Sequence, residues 1–419
     1  MGMTPKSLGE KRSVLILMAT YGEGHLRAAQ SLEAAIHRLE PDRPVHIVDF
    51  FERVSPVTNR VARRLYVGSV RRMPRLYGHW YELTRAIPED SFVQRAMDHY
   101  HLYGLWRLLA DTNPAVVVST FPVPAGVLSA LRVEQGLAIP SVVAVTDYTV
   151  HSQWMHSGVD LYLVAHSELE KAMTDRGVPQ ERIAVTGIPI DPRFGDAARE
   201  HLRPLGPPWR VMVMGGAYGM LPNTLDLVEA LLGVPSVEVV LVAGRDVQLR
   251  QRGEALRAMP GVGDRLAVLG YTREIPTLMG RAHLLVTKGG GLTISEALAV
   301  ELPLRIYRPL PGQELSNVDF LVRHGAARVF KNVPALVDEV RTMVGLAAGR
   351  LCEPPPAGLA RPDSALDGAA RILALAEASA HTSHVTHPPR PDSHHPWRRG
   401  GVKSTRTGSL HVKRHEVLR

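Results

Sequence analysis

The residue with the most chemistry to offer is a histidine on a glycine-rich turn. His25 closes the run Tyr21-Gly22-Glu23-Gly24-His25, which follows an apolar stretch at 14–19 and opens a helical pattern at about 26–39. Glycines let a chain turn tightly and let a ligand approach the backbone. The helix start that follows presents free N–H groups and a positive dipole end. An imidazole there has a reference pKa suited to moving protons near neutrality. An ordinary tight turn carrying an incidental histidine fits the same residues. Arg27 stands where a dinucleotide fingerprint would have its third glycine, which argues against that use of the loop.

Three further loops carry polar or glycine-rich chemistry. Gly215-Gly216-Ala217-Tyr218-Gly219 follows an apolar run at 210–214. Lys288-Gly289-Gly290-Gly291-Leu292-Thr293 follows a run at 283–287 and precedes a helical pattern at 292–300. Three consecutive glycines are costly in backbone entropy, and at a helix N-terminus they suit an anion as well as a flexible turn. Neither loop has the Gly-Lys-Ser/Thr ending of a Walker A motif. In the fourth, from Pro309 to Asn317, two prolines stiffen the chain ahead of Gln313, Glu314 and Asn317. These groups suit a polyhydroxylated ligand, or the capping of the next helix.

The elements that must hold these loops alternate short β-branched runs with helical patterns, the signature of an α/β fold with parallel sheets. Strands are expected at 14–19, 45–49, 115–119, 141–145, 161–165 and 183–187, then at 210–214, 237–243, 266–269, 283–287 and 304–307. Each series is long enough for a doubly wound sheet. The expected domains are 12–200 and 205–350, with 191–209 as their junction. Ligands then bind in a cleft between the carboxyl ends of the two sheets. A helical insertion at about 52–110 interrupts the first domain, a closing helix spans 364–379, and the His/Pro-rich tail 381–419 is expected to be disordered.

Composition sets the boundaries. The 419 residues are 45% hydrophobic, typical of a soluble globular chain. The one cysteine, Cys352, excludes an intrachain disulfide and a cysteine-built zinc site. No export signal or stretch of about 20 apolar residues is present, and Lys6 stands where a myristoylation motif wants Ser or Thr. The net charge of +8 is concentrated. The tail 381–419 holds eight Lys/Arg against two Asp/Glu, giving +6, and residues 53–85 hold eight arginines against Glu82, giving +7. Tyr66, Tyr77, Trp80 and Tyr81 lie among those arginines. No nucleic-acid recognition motif accompanies the charge, so no nucleic-acid partner is expected. The tail histidines His381, His384, His387, His394 and His395 fit no defined metal spacing.

Taken in order, the loops resemble the monogalactosyldiacylglycerol-synthase and processive diacylglycerol-glucosyltransferase family, of glycosyltransferase family 28, over about residues 14–350. In the N-terminal half the resemblance rests on residues 22–36 (GEGHLRAAQSLEAAI), 47–52 (IVDFFE), 76–85 (LYGHWYELTR), 145–173 (VTDYTVHSQWMHSGVDLYLVAHSELEKAM) and 182–194 (RIAVTGIPIDPRF). The C-terminal half is similar to the UDP-sugar domain shared with the lipid-linked N-acetylglucosaminyltransferase of peptidoglycan synthesis. It does so through 211–219 (VMVMGGAYG), 269–272 (LGYT), 286–304 (VTKGGGLTISEALAVELPL) and 311–327 (PGQELSNVDFLVRHGAA).

The resemblance implies a GT-B fold and an inverting transferase that needs no cofactor and no metal, with the UDP-sugar as substrate. It implies that His25 is the catalytic base and that Gly216, Gly289, Gly290 and Gly291, with Thr293 in the same loop, hold the diphosphate. By the same resemblance Glu296 binds the ribose, Gln313 and Glu314 bind the hexose, and the backbone near Tyr271 binds uracil. Glu23 and the pair Ala217-Tyr218 depart from the smaller residues common in relatives.

The residues agree with such chemistry. Glycosyl transfer needs a base, a positioned donor and stabilisation of the departing diphosphate, which helix N-termini can supply. The chain has no Asp-x-Asp, the pair that usually holds a divalent ion in metal-dependent sugar transferases. Asp147 and Trp154 are expected on the acceptor side, where a structural hydrogen bond is the plainer role for Asp147. Arg63, Arg64, Arg71 and Arg72 fall where a helix could gather them to dock on an anionic membrane surface. The expected product is a β-glycolipid made from a UDP-hexose and a diacylglycerol-type lipid by a cytoplasmic enzyme peripheral on the inner face of the cell membrane. A transferase using UDP-N-acetylglucosamine on another lipid, a UDP-sugar 2-epimerase and a non-catalytic UDP-sugar sensor are the alternatives.

Overall fold

A computed structural model describes residues 11–20, 23–54, 92–200, 202–217, 221–346, 351 and 353–379. The expected arginine cluster at Arg63, Arg64, Arg71 and Arg72, and the tail 381–419, lie outside the described residues.

Among the described residues, twelve strands form two sheets, both wholly parallel. The first contains β1 (Val14–Met18), β2 (Val45–Asp49), β3 (Val116–Ser119), β4 (Ser141–Ala144), β5 (Leu161–Val164) and β6 (Ile183–Val185) in the order β2-β1-β3-β4-β5-β6. The second contains β7 (Trp209–Met214), β8 (Val237–Gly244), β9 (Leu266–Gly270), β10 (Leu284–Thr287), β11 (Leu304–Tyr307) and β12 (Ala327–Phe330) in the order β12-β11-β10-β7-β8-β9. In each sheet the strand order reverses once, between β1 and β3 and between β7 and β10. Open parallel sheets bind ligands outside the carboxyl ends of their strands at that reversal.

The alternation of side chains across each strand explains why the runs read as continuously apolar. Val14, Ile16 and Met18 face one layer of helices, and Leu15 and Leu17 face the other. Each fully buried Leu, Ile or Val stabilises the fold by about 1.5–3 kcal/mol. In the second sheet Val211 and Val213 face the helices Thr224–Leu232 and Val333–Leu346, while Met212 and Met214 face the helix Gly291–Ala299.

One feature differs from the sequence expectation and one, the packing of the expected closing helix, goes beyond it. The junction 191–209 contains a helix, Arg193–Glu200, whose Phe194 and Ala197 are buried in the same apolar cluster as Ile275 and Met279. The last helix, Ser364–Ala378, returns to the first sheet. Its Ala369, Ile372 and Leu373 pack with Leu32, Ile36 and Val118, and Gly368 lets it settle on Leu163 and Leu32. Of the expected insertion, the described parts are the helices Phe50–Val54 and Phe92–Thr112.

Candidate active site

β1 hands over to the first glycine-rich turn at Thr20. The Thr20 N–H donates to Asp49 Oδ2 at 3.1 Å, and its hydroxyl donates to the same oxygen. Asp49 Oδ1 accepts from the Glu52 N–H at 3.1 Å. One carboxylate at the end of β2 therefore fixes the entry to the turn. Beyond it, His25 lies in the first turn of the helix Glu23–Leu39.

His25 Nδ1 is 2.6 Å from the carbonyl oxygen of Thr120, just past β3. A carbonyl only accepts, so Nδ1 carries the proton and Nε2 keeps its lone pair. The Thr120 hydroxyl donates to the His25 carbonyl at 3.0 Å, Thr146 Oγ1 lies 3.3 Å from Nδ1, and Phe121 meets the ring edge-on at 4.9 Å. His25 is half-buried. That burial lowers its pKa to about 4 against the opposing Thr120 bond, so the imidazole is neutral at physiological pH.

The two halves meet at Thr146-Asp147-Tyr148, past β4. A Cβ on Gly291 would lie 2.5 Å from the Thr146 carbonyl oxygen, so only glycine permits this approach. Asp147 is 4% exposed and its Oδ1 accepts from Gln313 Nε2 and, at 3.5 Å, from Asn317 Nδ2. Burial raises the Asp147 pKa to about 6, and the two amide donors oppose that rise. Asn317 also accepts the Tyr148 N–H at 2.9 Å and donates to the Gly289 carbonyl at 3.2 Å. The Tyr148 hydroxyl lies 2.8 Å from Ser295 Oγ, and its ring stacks on Phe320 at 4.7 Å.

At the reversal of the second sheet, Gly216 follows β7 with φ +76°, and Lys288 follows β10. A Cβ on Gly216 would lie 3.3 Å from Lys288 Cε. The Lys288 ammonium pairs with Glu314 Oε1, and Glu314 Oε2 accepts the Leu310 N–H at 3.0 Å. Gly289 is pressed against Glu314 and Val318, whereas nothing lies within 4 Å of a Cβ built on Gly290. Gly290 precedes the helix Gly291–Ala299, whose Thr293 is half-buried and whose Glu296 is 6% exposed. Burial raises the Glu296 pKa to about 7; the charge of Arg27 opposes this and that of Asp191 adds to it. No described residue hydrogen-bonds the Glu296 carboxylate. Tyr271, 44% exposed beyond β9, has the Arg245 and Arg27 guanidinium carbons 4.6 and 5.4 Å from its ring centroid. Arg245 pairs with Glu23 at 3.0 Å, so the first helix reaches across to the second domain.

The structure thus brings His25, Asp147, Gln313, Glu314 and the triple glycine to one interface, with Glu296 beside Arg27. Trp154 is not among them: it is 2% exposed and packs in the core beside Tyr148, Val150 and Met155. Thr120, Thr146, Lys288, Arg27 and Arg245 escaped the residue-by-residue reading. Lys288 and Arg27 stood inside motifs already noted, so their charge was the available signal.

Two parallel doubly wound sheets, with both order reversals brought to one cleft, define a GT-B architecture. The fold is shared with MurG of Acinetobacter baumannii, at TM-score 0.55 and 15% identity over 87% of this chain and 99% of that chain. It is also shared with the kitacinnamycin glycotransferase (TM-score 0.51, 16% identity, 89% and 98%) and the UDP-GlcNAc 2-epimerase of Neisseria meningitidis (0.51, 12%, 86% and 100%). The pattern of monogalactosyldiacylglycerol (MGDG) synthase matches residues 25–190, and that of the glycosyltransferase family 28 C-terminal domain matches 210–344. The processive diacylglycerol beta-glucosyltransferase of Bacillus cytotoxicus is 32% identical over 361 residues, 82% of this chain and 91% of that protein. The Bacillus subtilis (strain 168) protein of the same name is 31% identical over 350 residues, 80% and 88%. The chain belongs to the monogalactosyldiacylglycerol-synthase and processive diacylglycerol-glucosyltransferase family.

Proposed function

We propose that this protein transfers a hexose from a UDP-sugar to the hydroxyl of a diacylglycerol-type lipid, with inversion, to give a β-glycolipid. The observation that carries the reading is the His25 tautomer. Nδ1–H is committed to the Thr120 carbonyl, so Nε2 is the basic atom at the order reversal of the first sheet. Nε2 takes the proton of the acceptor hydroxyl as its oxygen attacks the anomeric carbon, and the bond to UDP breaks on the opposite face. A pKa of about 4 keeps the base unprotonated but makes the imidazolium unfavourable. Proton transfer is then concerted with C–O bond formation, and the Thr120 carbonyl supports the charge that develops.

On the donor side, the N–H groups before the helix Gly291–Ala299 and the Lys288 ammonium receive the diphosphate. Lys288 supplies positive charge beside Gly216, which supports a leaving-group mechanism without a metal. Glu296 accepts the ribose hydroxyls, and Tyr271 lies beside the uracil. Gln313 and Glu314 hold the hexose, with Glu314 exchanging part of its bond to Lys288 for sugar hydroxyls.

No helix among the described residues is long and apolar enough to cross a membrane. Access to lipid in this reading comes from docking on the anionic inner face of the cell membrane through Arg63, Arg64, Arg71 and Arg72. Each basic residue near such a surface contributes about 1 kcal/mol. Sedimentation with anionic liposomes should weaken at high salt and fall when the four arginines become Gln, even after removal of 381–419. Unchanged sedimentation of that variant removes the arginines from the docking role.

The deciding experiment incubates the protein, with EDTA present, with UDP-glucose, UDP-galactose or UDP-N-acetylglucosamine and diacylglycerol liposomes, followed by mass analysis of the lipid. One UDP-hexose should yield a hexosyl-diacylglycerol at a rate unaffected by EDTA. Conversion of the UDP-sugar without lipid indicates an epimerase instead, and binding without turnover indicates a sensor.

A further inference from the structure

The helix Gln313–Arg323 meets the first domain at both ends. Its first two turns hold Asp147 and Tyr148, as described above. About 16 Å from the start of the helix, at a rise of about 1.5 Å per residue, Arg323 and His324 meet the start of the helix Ser167–Thr174. There His324 Nε2 lies 2.9 Å from Glu168 Oε1, and Arg323 Nη1 lies 3.1 Å from Glu168 Oε2. The His166 ring stands edge-on to the His324 ring with centroids 5.2 Å apart. One ligand atom from each of His166, Glu168 and His324 falls within 4.8 Å of the others.

We propose that His166, Glu168 and His324 form a divalent transition-metal site, best suited to Zn2+, that pins the two domains together outside the catalytic cleft. Two imidazoles and one carboxylate are a donor set that zinc accepts, with a fourth position left to water. His324 is already oriented as a ligand. Its Nδ1 donates to the Phe320 carbonyl at 2.8 Å, which aims Nε2 at Glu168, and an ion would take the place of the proton that Nε2 shares with Glu168 Oε1. Glu168 is open to solvent, so an ion can enter and the carboxylate can adjust. Zinc–ligand bonds of about 2.0–2.1 Å set tetrahedral donors about 3.3 Å apart, so on binding the His324–Glu168 pair opens by about 0.4 Å and the widest pair closes by up to about 1.5 Å. Arg323 is the opposing charge. It uses Glu168 Oε2, leaves Oε1 to the ion, and is offset by Asp319 at 3.0 Å. His166 and Glu168 belong to the first domain and His324 to the second, so one ion would fasten the far end of the helix that carries Gln313 and Glu314.

The tail contains His381, His384, His387, His394, His395, His411 and His415, which would also take zinc. The test therefore uses the full-length chain with those seven replaced by Asn, stripped with EDTA and titrated with Zn2+ by calorimetry. One site of micromolar or tighter Kd is expected, with a Tm that rises with zinc concentration and a visible tetrahedral spectrum when Co2+ replaces Zn2+. His166→Ala and His324→Ala should each weaken zinc binding at least tenfold and abolish the Tm rise, while Glu168→Gln, nearly isosteric, weakens it several-fold. His46→Ala, on an exposed strand position, should change nothing. UDP binding confirms that each variant is folded. Millimolar zinc affinity in the parent, or unchanged affinity in the His166→Ala/His324→Ala double variant, overturns the site and leaves only an ion-pair contact.

Discussion

The two order reversals that face the cleft are built in opposite ways. At β1/β3 bonds within the protein hold His25 in place: Asp49 holds Thr20, and Thr120 holds both the ring and the carbonyl of His25, even though Ser119 Oγ and Glu23 Oε2 have no partner among the described residues. At β7/β10 the backbone is left open at Gly290, and the Glu296 carboxylate is buried without a described hydrogen-bond partner. A base must keep one tautomer and one direction through every turnover, which bonds within the protein enforce. A nucleotide site must offer unfilled donors and acceptors, because the ligand completes them. The same topology thus serves as a fixed tool on one side and an empty socket on the other.

Removing the fixed tool should have the largest effect. His25→Ala is expected to lower transfer by about 10²–10⁴-fold, the range for general acid–base catalysis, with UDP affinity nearly unchanged. Single-turnover assays and UDP titration separate the two. Near-normal turnover would end the distinction between the reversals.

Lys288→Met comes next, at about a hundredfold loss in kcat, the scale of removing one group that stabilises developing charge. Glu314 loses its ammonium partner in this variant, so thermal melting should accompany the kinetics. A loss in melting temperature with kcat intact would make the pair purely structural.

Glu296 tests the socket. Its pKa is raised to about 7 in the free protein, and ribose hydroxyls favour the ionised form. UDP binding near pH 6.5 should release protons, visible as a dependence of the calorimetric heat on buffer ionisation enthalpy, and affinity should rise as pH increases through 7. Glu296→Gln should abolish the proton release and weaken UDP binding about tenfold, the scale of a charged hydrogen bond. Equal heats in all buffers for the parent would refute this.

The smallest effect concerns the join between the reversals. Burial raises the Asp147 pKa from the ordinary aspartate range to about 6, so its contribution to stability is fully present below about pH 4 and is lost as pH rises through 6. Asp147→Asn keeps an acceptor for Gln313 and removes that loss. The stability difference between variant and parent should therefore grow in favour of Asn from pH 4 to 7. Parallel denaturation curves across that window would show that the carboxyl titrates normally.

Much of this was legible in the sequence because β-branched runs and glycine turns are local signals. Eleven expected strands are present with boundaries shifted by no more than two residues. The twelfth, Ala327–Phe330, escaped because it is short and edge-lying, with Arg328 and Val329 exposed. The helix Arg193–Glu200 was hidden by the prolines and charges around it. The orienting group of His25 had no signature at all, since the Thr120 carbonyl is backbone and any residue would supply it. The Asp147–Gln313 bond joins positions 166 apart, and Trp154, expected at the acceptor, is instead spent on core packing.

The return of the helix Ser364–Ala378 to the first sheet separates the order of synthesis from the order of completion. When residues 12–200 leave the ribosome, the face formed by Leu32, Ile36 and Val118 has no cover, and it stays bare while the whole second domain is made. The nascent first domain must wait with an apolar face exposed, a state that invites chaperones or aggregation. A chain stopped before residue 364 would carry a complete second domain and an unfinished first one, so a nonsense mutation near the end would do its damage at the beginning.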